Sequence, residues 1–199
     1  MPHSETPQQD VTLNLASLLG FRGDDLVVKG VWQPEAERAA QLELDLTEPL
    51  TWRIRIQRVS GDDDIYLFDA KASGIARLAC RRCLTDVDVA VNTSLVYTLH
   101  YEPSSNPVPG AVFLREGKGE EDVLVFQRPE VDFGDLLLEM LAVELPLTVL
   151  CREDCKGLSF DGVNLNEHPE AAQQANQAKD EADNDINESP FAVLRDLDV

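Results

Sequence analysis

The run Asp86-Val87-Asp88-Val89-Ala90-Val91 continues through Leu95, Tyr97, Leu99 and Tyr101, and it places its large apolar side chains on one parity from Val87 to Tyr101. Successive side chains of a strand point to opposite faces, so this period of two predicts a long, half-buried β-strand. Upstream, Trp52, Ile54 and Ile56 alternate with Arg53, Arg55 and Gln57, and Leu42, Leu44 and Leu46 alternate with Glu43 and Asp45. Both stretches carry the same signature and are expected to be neighbours in one sheet. Ser60-Gly61-Asp62-Asp63-Asp64 has turn chemistry, and Ile65 to Phe68 and Ile75 to Cys80, separated by Gly74, predict two further strands. Nearer the start, Val11, Leu13 and Leu15 suggest a short strand or helical turn leading into a strand at Leu26-Val27-Val28.

Downstream, residues 103 to 122 contain Pro103, Pro107, Pro109, Gly110, Gly117 and Gly119 and read as a surface loop, followed by a short strand from Val123 to Phe126. Asp132 and Asp135 then frame a helix start. Phe133, Leu136, Leu137, Met140, Leu141 and Leu145 fall at helical spacing, and Pro146 ends the element. The expectation is a single α+β domain over residues 11–166, a mostly antiparallel sheet with one main covering helix. Residues 1–10 are polar with two prolines and are expected to be disordered. Residues 167–199 hold nine acidic and two basic residues, the composition of a disordered acidic tail. Its segment 190–197 is apolar enough to dock on a partner through Phe191, Val193 and Leu194.

The 199 residues are 43% hydrophobic and 27% charged, enough for one sizeable core. Lys and Arg total 17 against 37 Asp and Glu, a net charge of −20. That balance argues against a protein that tracks nucleic acid by general positive charge, so any such contact must be local. The densest basic group is Arg53 and Arg55 with Arg58, together with Arg77, Arg81 and Arg82. Arg53, Arg55, Arg81 and Arg82 are the candidates for a small phosphate-contacting patch, against the alternative of a solvated strand face paired with carboxylates. Trp52 and Tyr66 alternate with charge and read as core. No apolar stretch reaches membrane-spanning length and no export signal opens the chain, so a cytoplasmic protein without membrane contact is expected. Phosphate loops, dinucleotide fingerprints, nucleophile elbows and paired-carboxylate motifs are lacking, and no small-molecule substrate is indicated. A binding protein is expected, not an enzyme.

Four cysteines occur as Cys80-Arg81-Arg82-Cys83 and Cys151-Arg152-Glu153-Asp154-Cys155. Two short-spaced pairs can place four thiolates around one metal, as structural zinc requires, provided the fold brings the pairs together. Four thiolates around Zn²⁺ leave a formal charge of about −2; Arg81, Arg82, Arg152 and Lys156 are placed to compensate it or donate to sulfur. Two alternatives stay open on the spacing. The thiols can be reduced and unliganded, or Cys80 and Cys83 can form a redox pair with a thiolate favoured by the flanking arginines. Asp161 offers an oxygen ligand in principle, but before Gly162 it reads as a turn residue.

In order and rough spacing, Cys80-Arg81-Arg82-Cys83-Leu84, Asp132-Phe133-Gly134-Asp135-Leu136-Leu137, Cys151 to Leu158, Asn164-Leu165-Asn166 and Pro190-Phe191-Ala192-Val193-Leu194 resemble the YceD family. Its members are small cytosolic bacterial proteins with plant organellar relatives, linked to accumulation of the large-subunit ribosomal RNA and to metal and nucleic-acid binding. The resemblance implies a non-enzymatic factor in ribosome biogenesis that supports synthesis, processing or stability of the large-subunit (23S) ribosomal RNA. Binding would be to that RNA or to a pre-ribosomal protein. Many relatives carry an extra cysteine pair before Asn-Leu-Asn; here Leu158 to Asn166 has none. The alternative from a different class is an acidic module or chaperone that holds a basic ribosomal protein; a thiol oxidoreductase is the third reading.

Overall fold

The computed structural model describes residues 8–20, 23–59, 64–108, 110, 112–116 and 122–171. The expected docking residues Phe191, Val193 and Leu194, and most of the acidic tail, lie outside them. The chain divides into two compact units, residues 1–78 with 88–147, and residues 79–87 with 148–199. No helix among the described residues is long and apolar enough to cross a membrane.

The chain is mostly strand with few helices, the first of which, α1 (Ala16–Leu19), is a single turn. In the first unit, β1 (Thr12–Asn14) pairs with β8 (Glu130–Asp132) in a two-stranded ribbon. The larger sheet runs β2 (Asp25–Trp32), β3 (Leu50–Arg58), β4 (Ile65–Ala79), β5 (Asp86–Tyr101), β7 (Asp122–Phe126) and β6 (Val112–Glu116), in that spatial order. Pairing is antiparallel at β2–β3, β3–β4 and β6–β7, but β5 and β7 run parallel, which makes the sheet mixed.

Alternation in β3 decides its two faces. Leu50, Trp52, Ile54 and Ile56 are buried, while Thr51, Arg53 and Gln57 are exposed. Their register sets Ile54 against Val28 on one side and Ala70 on the other. Helix α3 (Gly134–Val143) contributes Leu137, Leu138, Met140 and Leu141 to the same apolar cluster as this inner face. The Asp132 carboxylate accepts from the Gly134 N–H at 2.7 Å and so ties the entry to the first turn. Phe68 stacks on Phe133 with ring centroids 5.1 Å apart, and Phe126 meets both Tyr66 and Tyr101.

Three sequence expectations change. Residues 42–46 are not a strand. Helix α2 (Ala36–Ala40) precedes them, and its end is closed by Leu44 N–H donating to the Ala39 carbonyl and Glu43 N–H to that of Ala40. Glu43 takes a left-handed conformation, φ 56°, and Leu44 and Ala39 are both buried. This is the hydrophobic closure typical of a helix C-terminus. Alternating leucines thus track burial around a turn. Second, β4 is one 15-residue strand that runs through Gly74. A Cβ at Gly74 would lie 2.4 Å from Leu50 Cδ2, so the glycine there provides clearance and does not end the strand. Third, the expected loop 103–122 contains β6, an edge strand whose short Val112–Glu116 pattern is flanked by proline and glycine.

Candidate metal centre

All four cysteines belong to the second unit. Cys80 and Cys83 occupy the turn between the last residue of β4 and the first of β5, where Cys80 N–H donates to the Thr85 carbonyl and Leu84 N–H to that of Cys80. Leu84 adopts φ 59°, the left-handed conformation that closes the tight loop. In the second pair, Cys155 N–H donates to the Arg152 carbonyl, and Gly157 follows at φ 80°. Arg81 N–H donates to the Val149 carbonyl at 2.9 Å, which joins the two cysteine segments by backbone.

The four Sγ atoms lie within 4.8 Å of one another. Cys80 and Cys155 sulfurs are 3.8 Å apart, and those of Cys83 and Cys151 are 3.5 Å apart. A disulfide needs about 2.05 Å, so all four are free thiols. Sulfurs placed about 2.3 Å from a tetrahedral zinc would stand about 3.8 Å from each other, close to the 3.8 and 3.5 Å of these two pairs. Among the described residues the group contains no carboxylate, and Asp161 is exposed in the turn before Gly162.

The surroundings favour anionic sulfur at Cys80 and Cys83 and oppose it at Cys151. The Cys80 thiol is held down to about 6, first by the backbone N–H of Cys151 and further by those of Arg82 and Cys83, against the cost of desolvation. Cys83 is also lowered, chiefly by the Thr85 hydroxyl at 3.3 Å and the Thr85 N–H. Cys151, exposed as a residue, is pushed up to about 12, first by desolvation and then by hydrogen bonds to the other three thiols. Four sulfurs around one point therefore share their protons, and a soft divalent cation can displace them.

An outer layer of polar groups, of which the sequence pointed to Asn164-Leu165-Asn166 only through the family resemblance, fixes these sulfurs. Asn166 Nδ2 donates to the Cys155 sulfur at 3.2 Å, while its Oδ1 accepts from the Lys156 N–H at 2.9 Å. Asn164 bonds Asn166 and reaches the Thr85 hydroxyl at 3.3 Å, so Asn164-Leu165-Asn166 links both cysteine segments. Arg82, expected as a donor to sulfur, instead donates to the backbone carbonyls of Cys155 and Glu153. Arg152 faces Asp154 at 3.8 Å.

Of the nucleic-acid candidates, Arg81 and Arg82 are exposed beside Cys80 in the second unit, and Arg53 and Arg55 lie on the outer face of β3 in the first. Arg55 is engaged by Asp25 through contacts of 2.9 and 3.1 Å; Arg53 has no ion pair among the described residues. Trp52 and Tyr66 are buried, as their alternation predicts.

Residues 68–198 match the family model described as Large ribosomal RNA subunit accumulation protein YceD. Searches of curated proteins and of solved structures found no match.

Proposed function

The chain belongs to the YceD family, and from that premise we propose that it supports accumulation of large-subunit ribosomal RNA as a non-catalytic factor, binding that RNA or a pre-ribosomal component, with its second unit organised by one structural zinc ion. The observation that carries the zinc assignment is the four-sulfur group, because an all-thiolate tetrahedral donor set selects zinc or an iron–sulfur centre over hard cations. Cys80, Cys83, Cys151 and Cys155 would hold the metal. Asn166 and Thr85 orient and electrically support two of those sulfurs, as outer partners do in structural sites. A bound zinc would supply a permanent cross-link between the two cysteine segments and no reaction of its own.

The pair Cys80–Cys83 sits in a turn between strands, not at the helix N-terminus from which a dithiol oxidoreductase draws its reactive thiolate. That context supports a structural role for the sulfurs. Deleting the gene is expected to lower large-subunit relative to small-subunit ribosomal RNA. Wild-type chain should restore the ratio, and a Cys80→Ser/Cys155→Ser variant should not. An unchanged ratio after deletion would overturn the ribosomal reading. The acidic-module alternative draws on the net charge of −20 and predicts that a basic ribosomal protein is retained by the wild-type chain and released with rising salt.

A further inference from the structure

On the outer face of the larger sheet, Lys29 of β2 stands directly opposite Arg53 of β3, and Arg53 directly opposite Lys71 of β4. All three side chains are exposed. With strands about 4.8 Å apart, they form one transverse row of three positive charges about 10 Å long. Like charges directly opposite each other weaken strand pairing, so nothing in the folding of the sheet accounts for the row. The next outward position on β3 shows the usual solution. Arg55 faces Val27 and Asp69 and is bound by Asp25, whereas Lys29, Arg53 and Lys71 have no ion pair among the described residues.

The row lines a shallow surface cavity of about 670 Å³ whose other polar walls include Thr51, Ser73, Asn92 and Thr93. Among the described residues no carboxylate lines it, in a chain with 37 acidic residues. Much of the lining is apolar, from Val31, Trp52 and Ala72, and the three cations with the hydroxyls and the Asn92 amide are the groups that can meet phosphate oxygens. Trp52 also lines it but is only 3% exposed, and Val31 is the exposed apolar side chain there, so the lining presents no open aromatic face on which a base could stack. We propose that the row Lys29–Arg53–Lys71 is a binding site for the phosphate backbone of RNA, contacted without regard to base sequence. The inference rests on the ribosomal RNA role proposed above and gives that role its contact face. A net charge of −20 repels a polyanion elsewhere, which confines contact to this local patch.

The test uses the full-length chain and a short fluorescent single-stranded poly-uridine RNA. Three phosphate contacts to a single strand predict a log–log salt slope of about −2, roughly a 20-fold weakening between 50 and 200 mM salt. Lys29→Gln/Arg53→Gln/Lys71→Gln should abolish measurable binding while its thermal midpoint stays level or rises, because like-charge repulsion is relieved. Arg115→Gln, which removes a guanidinium of β6 already held by Glu102, should bind RNA within about twofold of wild type. Retention of RNA by the triple variant, a salt-independent wild-type complex, or equal displacement of the RNA by poly-glutamate would each overturn the proposal. If deletion of the gene lowers large-subunit RNA and the triple variant restores it fully, the row is refuted and the ribosomal role stands.

Discussion

In the sheet unit Tyr66, Phe68, Phe126 and Phe133 are each at most 1% exposed, within a cluster that draws on the sheet, the two-stranded ribbon and the helices. The described part of the cysteine unit has a buried cluster of Cys80, Cys83 and Cys155, with Val87 and Leu158 partly covered beside them. The first can be held by removal of apolar surface from water, at about 25 cal/mol per Å². The second is too small and too polar for that, and a chain segment of its size ordinarily needs a metal or disulfides. With the proposed zinc in place, one chain uses two means of cohesion, and they should fail under different insults.

The largest separation between the units should come from a strong chelator. Structural zinc contributes apparent binding energies of about 10–16 kcal/mol to small zinc domains, more than any single core contact provides. Hydrogen exchange followed peptide by peptide should show residues 79–87 and 148–166 losing protection while residues 50–58 and 65–78 keep theirs. Simultaneous loss in both regions would break the comparison.

The converse insult is Phe68→Ala, which removes a fully buried ring stacked on Phe133. It should cost about 3–5 kcal/mol in denaturant unfolding of the sheet unit, with bound metal per chain unchanged. Loss of metal in that variant would mean that the cysteine unit depends on the sheet core.

Asn166→Ala sharpens the contrast within the cysteine unit. It deletes the Nδ2–H donated to the Cys155 sulfur and the acceptor for the Lys156 N–H. Competition with a chromogenic chelator should show metal affinity weakened by about 10–100-fold, with the unfolding of the sheet unit unmoved.

The smallest effect is on acid stability of the sheet unit. The Arg55 guanidinium holds the Asp25 carboxyl below its ordinary 3.8. A carboxyl lowered in the folded state adds stability that is fully present above the unfolded value and disappears as pH falls through the folded one. Asp25→Asn should therefore differ from wild type at neutral pH and converge with it in acid. Asp25 is exposed, so the difference should be small and should shrink further in high salt. A difference that widened toward low pH would have the wrong sign.

Much of the sheet was legible because period-two alternation is a local signal, and β3, β5, β7 and helix α3 were found near their observed places. What misled was the same alternation just past the end of helix α2, at Leu42 to Leu46, where the helix cap buries Leu44 and leaves Leu42 and Leu46 partly buried against the core. Gly74 looked like a break because sequence does not show that Leu50 presses against the backbone there. The parallel pairing of β5 with β7 depends on the intervening residues and has no local signature. In the candidate site, cysteine spacing pointed to the four sulfurs that the fold brings together; Asn166 stood in the sequence only as part of the family resemblance, and its contact with sulfur, like that of Thr85, emerges only when the loops are folded together. The cation row had to be found by register: Lys29 and Lys71 are unremarkable until pairing places them on either side of Arg53.

The central claim is that four sulfurs form one metal anchor for the cysteine unit, and X-ray absorption at the zinc edge on purified full-length protein tests it most directly. One zinc per chain with four sulfur neighbours at about 2.3 Å is the predicted result. A chain purified under zinc-replete, reducing conditions that carries no stoichiometric metal, or whose zinc is bound by oxygen and nitrogen, would contradict it.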